Sequence, residues 1–273
     1  MGLWRFHILQ TLSEQAGMHL PESIIDDGLS TEDPVDMARE TLKKLRLKQP
    51  IDPIRLVDQL AEQLELLKKR NVKILTKNDS LWPIELNYLP QSPHLLYVLG
   101  EISCQKKIAM IGSREAPSRC LSAAKYLANM IAQCGYDIVS GGAIGCDIAA
   151  HRSLISASRG SNAVLILPGG LGSPYPLQNL GSFNYILEQG GCWISERPYF
   201  YKPSPRDFLI RNRIIVGISS GIVVIHGDER SGTSTTVRLA ISQGKDIYVS
   251  SVGIEDSPLG QRLIAEGAEI VHP

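Results

Sequence analysis

Residues 107–156 read KIAMIGSREAPSRCLSAAKYLANMIAQCGYDIVSGGAIGCDIAAHRSLIS. Lys107 to Ile111 is a short apolar run that fits a strand, and it ends in Gly112-Ser113-Arg114. Ser118 to Gln133 follows with apolar residues at helical spacing, then a strand from Tyr136 to Val139 and a helix from Ile144 to Ser156. Strands that are continuous Val/Ile runs, alternating with helices, predict a parallel sheet covered on both faces. Right-handed crossovers then give a doubly wound, mostly parallel, extended Rossmann-like α/β fold.

The alternation continues to the end of the chain. Strands are predicted at Ala163 to Leu167, Cys192 to Ser195, Gly221 to Ile225, Asp246 to Val249 and Glu269 to Val271. Helices are predicted at Asn179 to Gln189, Asp207 to Ile218, Thr233 to Gln243 and Pro258 to Glu266. Before residue 107 the character changes. Val72 to Leu75 and Leu95 to Leu99 read as lead-in strands around a Pro-rich stretch, Trp82 to Pro93. Trp4 to Ala16, Pro34 to Leu47 and a helix opening at Asp52-Pro53 make a small helical N-terminal domain. Leu56, Leu60, Leu64 and Leu67 are the buried stripe of that last helix. The division is therefore 1–70, helical, and 71–273, Rossmann-like, with 71–101 as lead-in.

Composition supports the division. The chain has 273 residues and equal numbers of basic and acidic side chains, 28 of each. A globally basic nucleic-acid coat is excluded, but not a local basic groove. Only four of the 24 glycines, Gly2, Gly17, Gly28 and Gly100, precede residue 102. No apolar run reaches membrane-spanning length, and the N-terminal MGLWRFHILQ lacks the apolar core of a signal peptide. The five cysteines are widely spaced with no CxxC, so neither a zinc site nor a disulfide framework is expected. A reducing, cytoplasmic setting follows.

In a sheet of this kind, ligands bind outside the carboxyl ends of the strands. The glycine and hydroxyl residues collect there, in four loops: Gly112-Ser113-Arg114, Gly141-Gly142 through Gly145, Pro168-Gly169-Gly170, and Gly227 through Ser231-Gly232-Thr233. Glycine lets backbone amides approach a ligand, helix N-termini offer unpaired N–H groups, and Arg114 adds a charged fork. Together these predict a phosphate-binding edge. Arg211, Asn212 and Arg213 lie in one helix. Positions 211 and 213 point different ways, so one is expected on phosphate while the other pairs internally; at this level a site and a structural ion-pair network both remain open. Asp147 and His151, four apart on a helix, are read as an acid favouring the helix N-terminus and a surface or pairing histidine.

The first turn is not G-x-G-x-x-G, and no G-x-x-x-x-G-K-[ST] occurs, so neither a dinucleotide nor any other cofactor is expected. No metal-ligand spacing and no catalytic residue stand out.

These motifs, in order, resemble the DNA-processing protein A (DprA, or Smf) family: Ile108-Ala109-Met110-Ile111-Gly112-Ser113-Arg114, Val139 through His151, Tyr175-Pro176, Ser195-Glu196, Arg211-Asn212-Arg213-Ile214-Ile215, Arg230-Ser231-Gly232-Thr233, and Leu263-Ile264-x-Glu266-Gly267-Ala268. The resemblance covers roughly residues 72–271. It implies a cytosolic homodimer without enzymatic turnover that binds single-stranded DNA and loads the RecA recombinase on incoming strands in natural transformation. It makes Arg114 the DNA-contacting arginine, Gly112, Ser113, Gly141, Gly142, Gly145, Ser231 and Gly232 the surrounding loops, and Leu263 and Ile264 the dimer surface. Arg119 would extend the charged track, and Phe183, Tyr175 and Tyr185 are candidate base contacts.

Two other readings use the same edge. A nucleotide phosphoribohydrolase would carry Pro-Gly-Gly-x-Gly-Thr-x-x-Glu, but here Pro176 stands where the glutamate belongs. A sensor of a nucleotide-derived small molecule, with the acidic N-terminal domain as output, fits the loops equally well.

Overall fold

A computed structural model describes residues 7–12, 33–45, 51–157 and 162–273. They fall into two compact units, Met1–Tyr97 and Val98–Pro273. In the first unit, residues 7–12 are helical, and the flanking parts of the helix expected over Trp4 to Ala16 lie outside the described residues. Helices α1 (Pro34–Lys44) and α2 (Pro53–Lys69) both begin with a proline, which needs no N–H partner there. Asp33 caps α1 by accepting from the Val35 and Asp36 amides, and Asp52 caps α2 by accepting from Ile54. Ile8, Leu9, Leu12, Met37, Ala38, Leu56 and Leu60 form this unit's core. Leu56 and Leu60 of the α2 stripe thus pack within their own unit, Leu67 is buried, and Leu64 is only partly covered. Strand β1 (Lys73–Leu75) follows, and β2 (Leu96–Gly100) carries the chain to the second unit.

The second unit alternates strictly: β3 (Lys107–Ile111), α3 (Ser118–Gln133), β4 (Asp137–Ser140), α4 (Cys146–Ser156), β5 (Ala163–Ile166), α5 (Leu180–Glu188), β6 (Cys192–Ser195), α6 (Pro205–Gly217), β7 (Gly221–Val224), α7 (Gly232–Ser242), β8 (Asp246–Ser250), α8 (Pro258–Ala265) and β9 (Glu269–Val271). Its seven strands lie in the order β6-β5-β4-β3-β7-β8-β9, and every pairing between them is parallel. The doubly wound α/β fold read from the apolar runs is therefore present. Strands β4 to β7 are buried throughout, Cys192 of β6 included, and β3 is buried except at the half-covered Ile108.

The order reverses direction between β3 and β7. Chain leaving β3 runs one way across the sheet and chain leaving β7 the other, so with right-handed crossovers α3 to α5 cover one face and α6 to α8 the other. Contacts between α3 and α4, α4 and α5, and α6 and α7 agree with this. Reversal opens a crevice outside the carboxyl ends of β3 and β7, where such sheets bind ligands. Helix α6 is fixed at its start by Asp207, whose Oδ2 accepts from the Ser204 amide (2.8 Å) and hydroxyl (2.7 Å).

Candidate nucleic-acid interface

At the crevice lies a cleft of about 450 Å³, lined by Gly112, Ser113, Arg114, Phe208, Asn212, Ser231, Gly232 and Thr233 among others. Seven of these eight were expected on the phosphate edge; Phe208 was not. The loop after β3 is pinned from both sides. Ser113 N–H donates to the His226 carbonyl at 2.9 Å, and its carbonyl accepts from Cys146 at 3.3 Å. Gly145, with φ +88°, makes the approach of the two loops possible. A Cβ there would lie 2.3 Å from the Ser113 oxygen and 2.8 Å from the Arg114 Cα.

Arg114 leaves this turn into solvent. It is exposed, and it makes no ion pair with any described residue. Its guanidinium sits 5.7 Å from the centroid of the Phe208 ring, and Phe208 packs edge-on against Tyr175 at 5.4 Å. A cation over an aromatic face is oriented without being neutralised. Across the cleft, α7 begins at Gly232. Ser231 Oγ accepts from the Ser234 amide at 3.1 Å, leaving the N–H groups of Gly232 and Thr233 ahead of the helix ladder. Asn212 is held by its Nδ2 donating to Thr236 Oγ1 at 2.8 Å. Glu115 is the exposed carboxylate of the lining, and Asp147 is buried in the floor.

Other expected members are drawn elsewhere. In the loop after β4, Asp147 Oδ2 accepts from the amides of Gly141 (3.2 Å) and Ala143 (3.3 Å), while Ser140 Oγ accepts from Gly142 (3.3 Å). Those amides serve the loop itself and are closed to a ligand, which corrects the expectation for Gly141 and Gly142. Gly169 and Gly170 are likewise corrected. Both are buried beneath residues 198–203, and Gly170 N–H donates to the Tyr201 carbonyl at 2.9 Å. Their close approach is to protein. Phe183 is fully buried against Trp193, so it is core and not a base contact.

The three arginines separate as well. Arg211 is buried, and its Nη1 donates to the carbonyls of Gly141 (3.2 Å) and Ile166. Burial lowers Arg211 to about 10, so it stays charged at neutral pH opposite Asp147. Burial pushes the Asp147 carboxyl up to about 6, against the pull of Arg211 and the loop amides. Arg213 forms a bidentate pair with Glu196, at 2.8 and 2.6 Å. Neither arginine is open to phosphate. Arg119 is paired with Asp256 on the surface. Leu263 is buried inside the chain, whereas Ile264 is half-buried at its surface. Of the proposed dimer residues, only Ile264 offers an accessible side chain.

His151 is not the surface residue its spacing suggested. It is wholly buried, and neither ring nitrogen has a hydrogen-bond partner. Burial lowers it to about 4. The unfolded chain, with an ordinary histidine near 6.5, then binds the extra proton between those two values, so this group costs stability as pH falls through that window. In urea titrations of wild type and His151→Leu, the wild type is expected to lose about 2 kcal/mol more than the variant between pH 7 and pH 5. Parallel losses would show that His151 is not held neutral.

Gly217-Ile218-Ser219-Ser220-Gly221 has the spacing of a nucleophile elbow, but it joins the end of a helix to a strand, the reverse of that turn. Ser219 is buried and donates to the Ile215 carbonyl at 2.7 Å.

The described residues thus form a Rossmann-like parallel sheet with an exposed arginine and a helix N-terminus at its switch point. A family model described as DNA recombination-mediator protein A matches residues 73–273, and the chain belongs to that family of DNA-processing (DprA/Smf) proteins. The DNA processing protein DprA of Bacillus subtilis is 27% identical over 90% of this chain and 84% of its own length. Protein Smf of Escherichia coli is 31% identical over 75% of this chain, but the match spans 55% of that relative. Among solved structures, DNA processing protein A from Streptococcus pneumoniae superposes with a TM-score of 0.71 and 25% identity, covering 99% of this chain and 90% of that one. A structure addressing the single-stranded DNA binding mode of DNA processing protein A from Helicobacter pylori superposes with a TM-score of 0.65 and 27% identity, covering 73% and 90%.

Proposed function

We propose that this protein binds single-stranded DNA along the rim around Arg114 and delivers the strand to the RecA recombinase during natural transformation and recombination, without catalytic turnover. The observation that carries the reading is the unneutralised Arg114, held over Phe208 beside the amides of Gly232 and Thr233. Backbone phosphate fits the guanidinium and the helix N-terminus. An unstacked base fits the Tyr175 and Phe208 rings, and Tyr175 is 48% exposed. Duplex DNA offers no free base faces to such a surface. The kinship with the Helicobacter pylori protein supports the same ligand. Gly112, Ser113, Arg114, Asn212, Ser231, Gly232 and Thr233 are the contacts we assign.

We place a homodimer contact on the side of α8 that carries Ile264, and light scattering of the purified chain tests it. A cytoplasmic setting fits the reading, and among the described residues no helix is long and apolar enough to cross a membrane.

One observation favours a second reading. A cleft of about 450 Å³ is within the range of small-molecule sites, so a nucleotide could fill it alone. Titration with oligo-dT, a duplex of equal length and a panel of mononucleotides and cyclic nucleotides, at one salt concentration, separates the two. Oligo-dT is expected to bind well ahead of duplex, with no competition from nucleotides. Saturable nucleotide binding without oligo-dT binding would replace the proposal with the sensor or hydrolase reading.

A further inference from the structure

A second groove, about 910 Å³ in volume, lies between α3 and α4 on the other side of Arg114. Arg114 lines both spaces, so the cleft and the groove share this side chain. Among its described lining residues the remaining cations are Lys125 and Arg152, and none is a carboxylate. Lys125 is exposed on α3 and makes no ion pair with a described residue. Arg152, on α4, is held by neutral acceptors: its Nε donates to Ser182 Oγ at 2.9 Å and its Nη2 to Asn179 Oδ1 at 3.4 Å. Asn179 is itself buried and donates to the Gly142 carbonyl at 3.0 Å. This arrangement aims the guanidinium without cancelling its charge.

The floor has a different character. Leu121, Ile144, Ile148 and Ala149 line it, and Ile144 is 41% exposed. Cationic walls over an apolar floor suit a chain with phosphates on its edges and unpaired, flat apolar faces between them.

We propose that this groove, through Lys125 and Arg152, binds a further run of phosphodiesters of the same single strand, so that Arg114 stands mid-track and not at its end. The inference rests on the single-strand reading above and adds two contacts on different elements. Charge complementarity selects a polyanion, and the apolar floor selects a strand without a complement.

The test compares wild type with Lys125→Gln/Arg152→Gln, whose amides keep hydrogen-bonding capacity toward Asn179 and Ser182. Lys125→Glu/Arg152→Glu serves as a second variant, and thermal melts confirm that both fold. With a long oligo-dT, the glutamine variant is expected to bind roughly tenfold more weakly, and its plot of log affinity against log salt to be shallower by about 1.4, about 0.7 for each lost phosphate contact. The glutamate variant should bind more weakly again. With an oligonucleotide of two or three residues, which fills the cleft alone, both variants should match wild type. Unchanged affinity and slope for long oligo-dT, with wild type still binding, would overturn the groove and leave the function standing. No DNA binding by wild type would overturn both.

Discussion

Arg211→Met is expected to cost about 3–5 kcal/mol of folding stability, out of a total that is about 5–15 for a typical chain. The guanidinium lies directly beneath the loop after β4, and a Cβ on Gly141 would come 2.3 Å from its Nη2. It satisfies the Gly141 and Ile166 carbonyls and faces the buried Asp147. Methionine fills much of the volume but supplies no donor and no charge. Two carbonyls would lose a partner, and the buried Asp147 carboxylate would lose the pull of a nearby positive charge. The deficit should shrink at low pH, because protonated Asp147 needs no cation. Adding Asp147→Asn should likewise recover part of the loss. Urea unfolding of wild type, the single variant and the double variant measures all three. A loss below about 1 kcal/mol for Arg211→Met would mean that the guanidinium is not holding the loop through its carbonyl contacts.

Arg114→Ala is expected to weaken oligo-dT binding by roughly 10- to 100-fold, the loss of about 1.4–3 kcal/mol that follows from removing a charge-assisted phosphate contact. Stability should barely change, because the side chain is exposed and its described contact is the Phe208 ring. Arg114→Lys keeps the charge but loses the planar fork, so it should fall between the two. Fluorescence anisotropy checks the affinities, and a melt checks that the variants fold. Wild-type affinity in Arg114→Ala would move the binding site away from the rim.

The order of elements was legible because each signal was local. Apolar runs of four or five residues marked β3 through β7, and Asp52-Pro53 marked the start of α2. The crevice was legible because topology follows from alternation and handedness. Its occupants were less so. Glycine reports that something comes close to the backbone, but not what. At Gly112 and Gly145 the neighbours are the loops that build the cleft, while at Gly169 and Gly170 they are Tyr201, Tyr199, Pro198 and Pro203. Spacing within α6 correctly forbade Arg211 and Arg213 from facing one way. It carried no information about the Gly141 carbonyl or Glu196, which lie far away in sequence. Phe208 carried a usable signal: it lies four residues before Asn212 on one helix face, and both line the cleft. The burial of His151 and Leu263 depends on packing between elements, which no single helix pattern records.

The most direct measurement is the affinity of wild type and Arg114→Ala for oligo-dT across a salt series. Expected are two straight lines of log affinity against log salt, with the variant lower and its slope shallower by about 0.7, the share of one phosphate on a single strand. Superimposed lines, or a wild-type affinity that ignores salt, would contradict a strand held by its phosphates at Arg114.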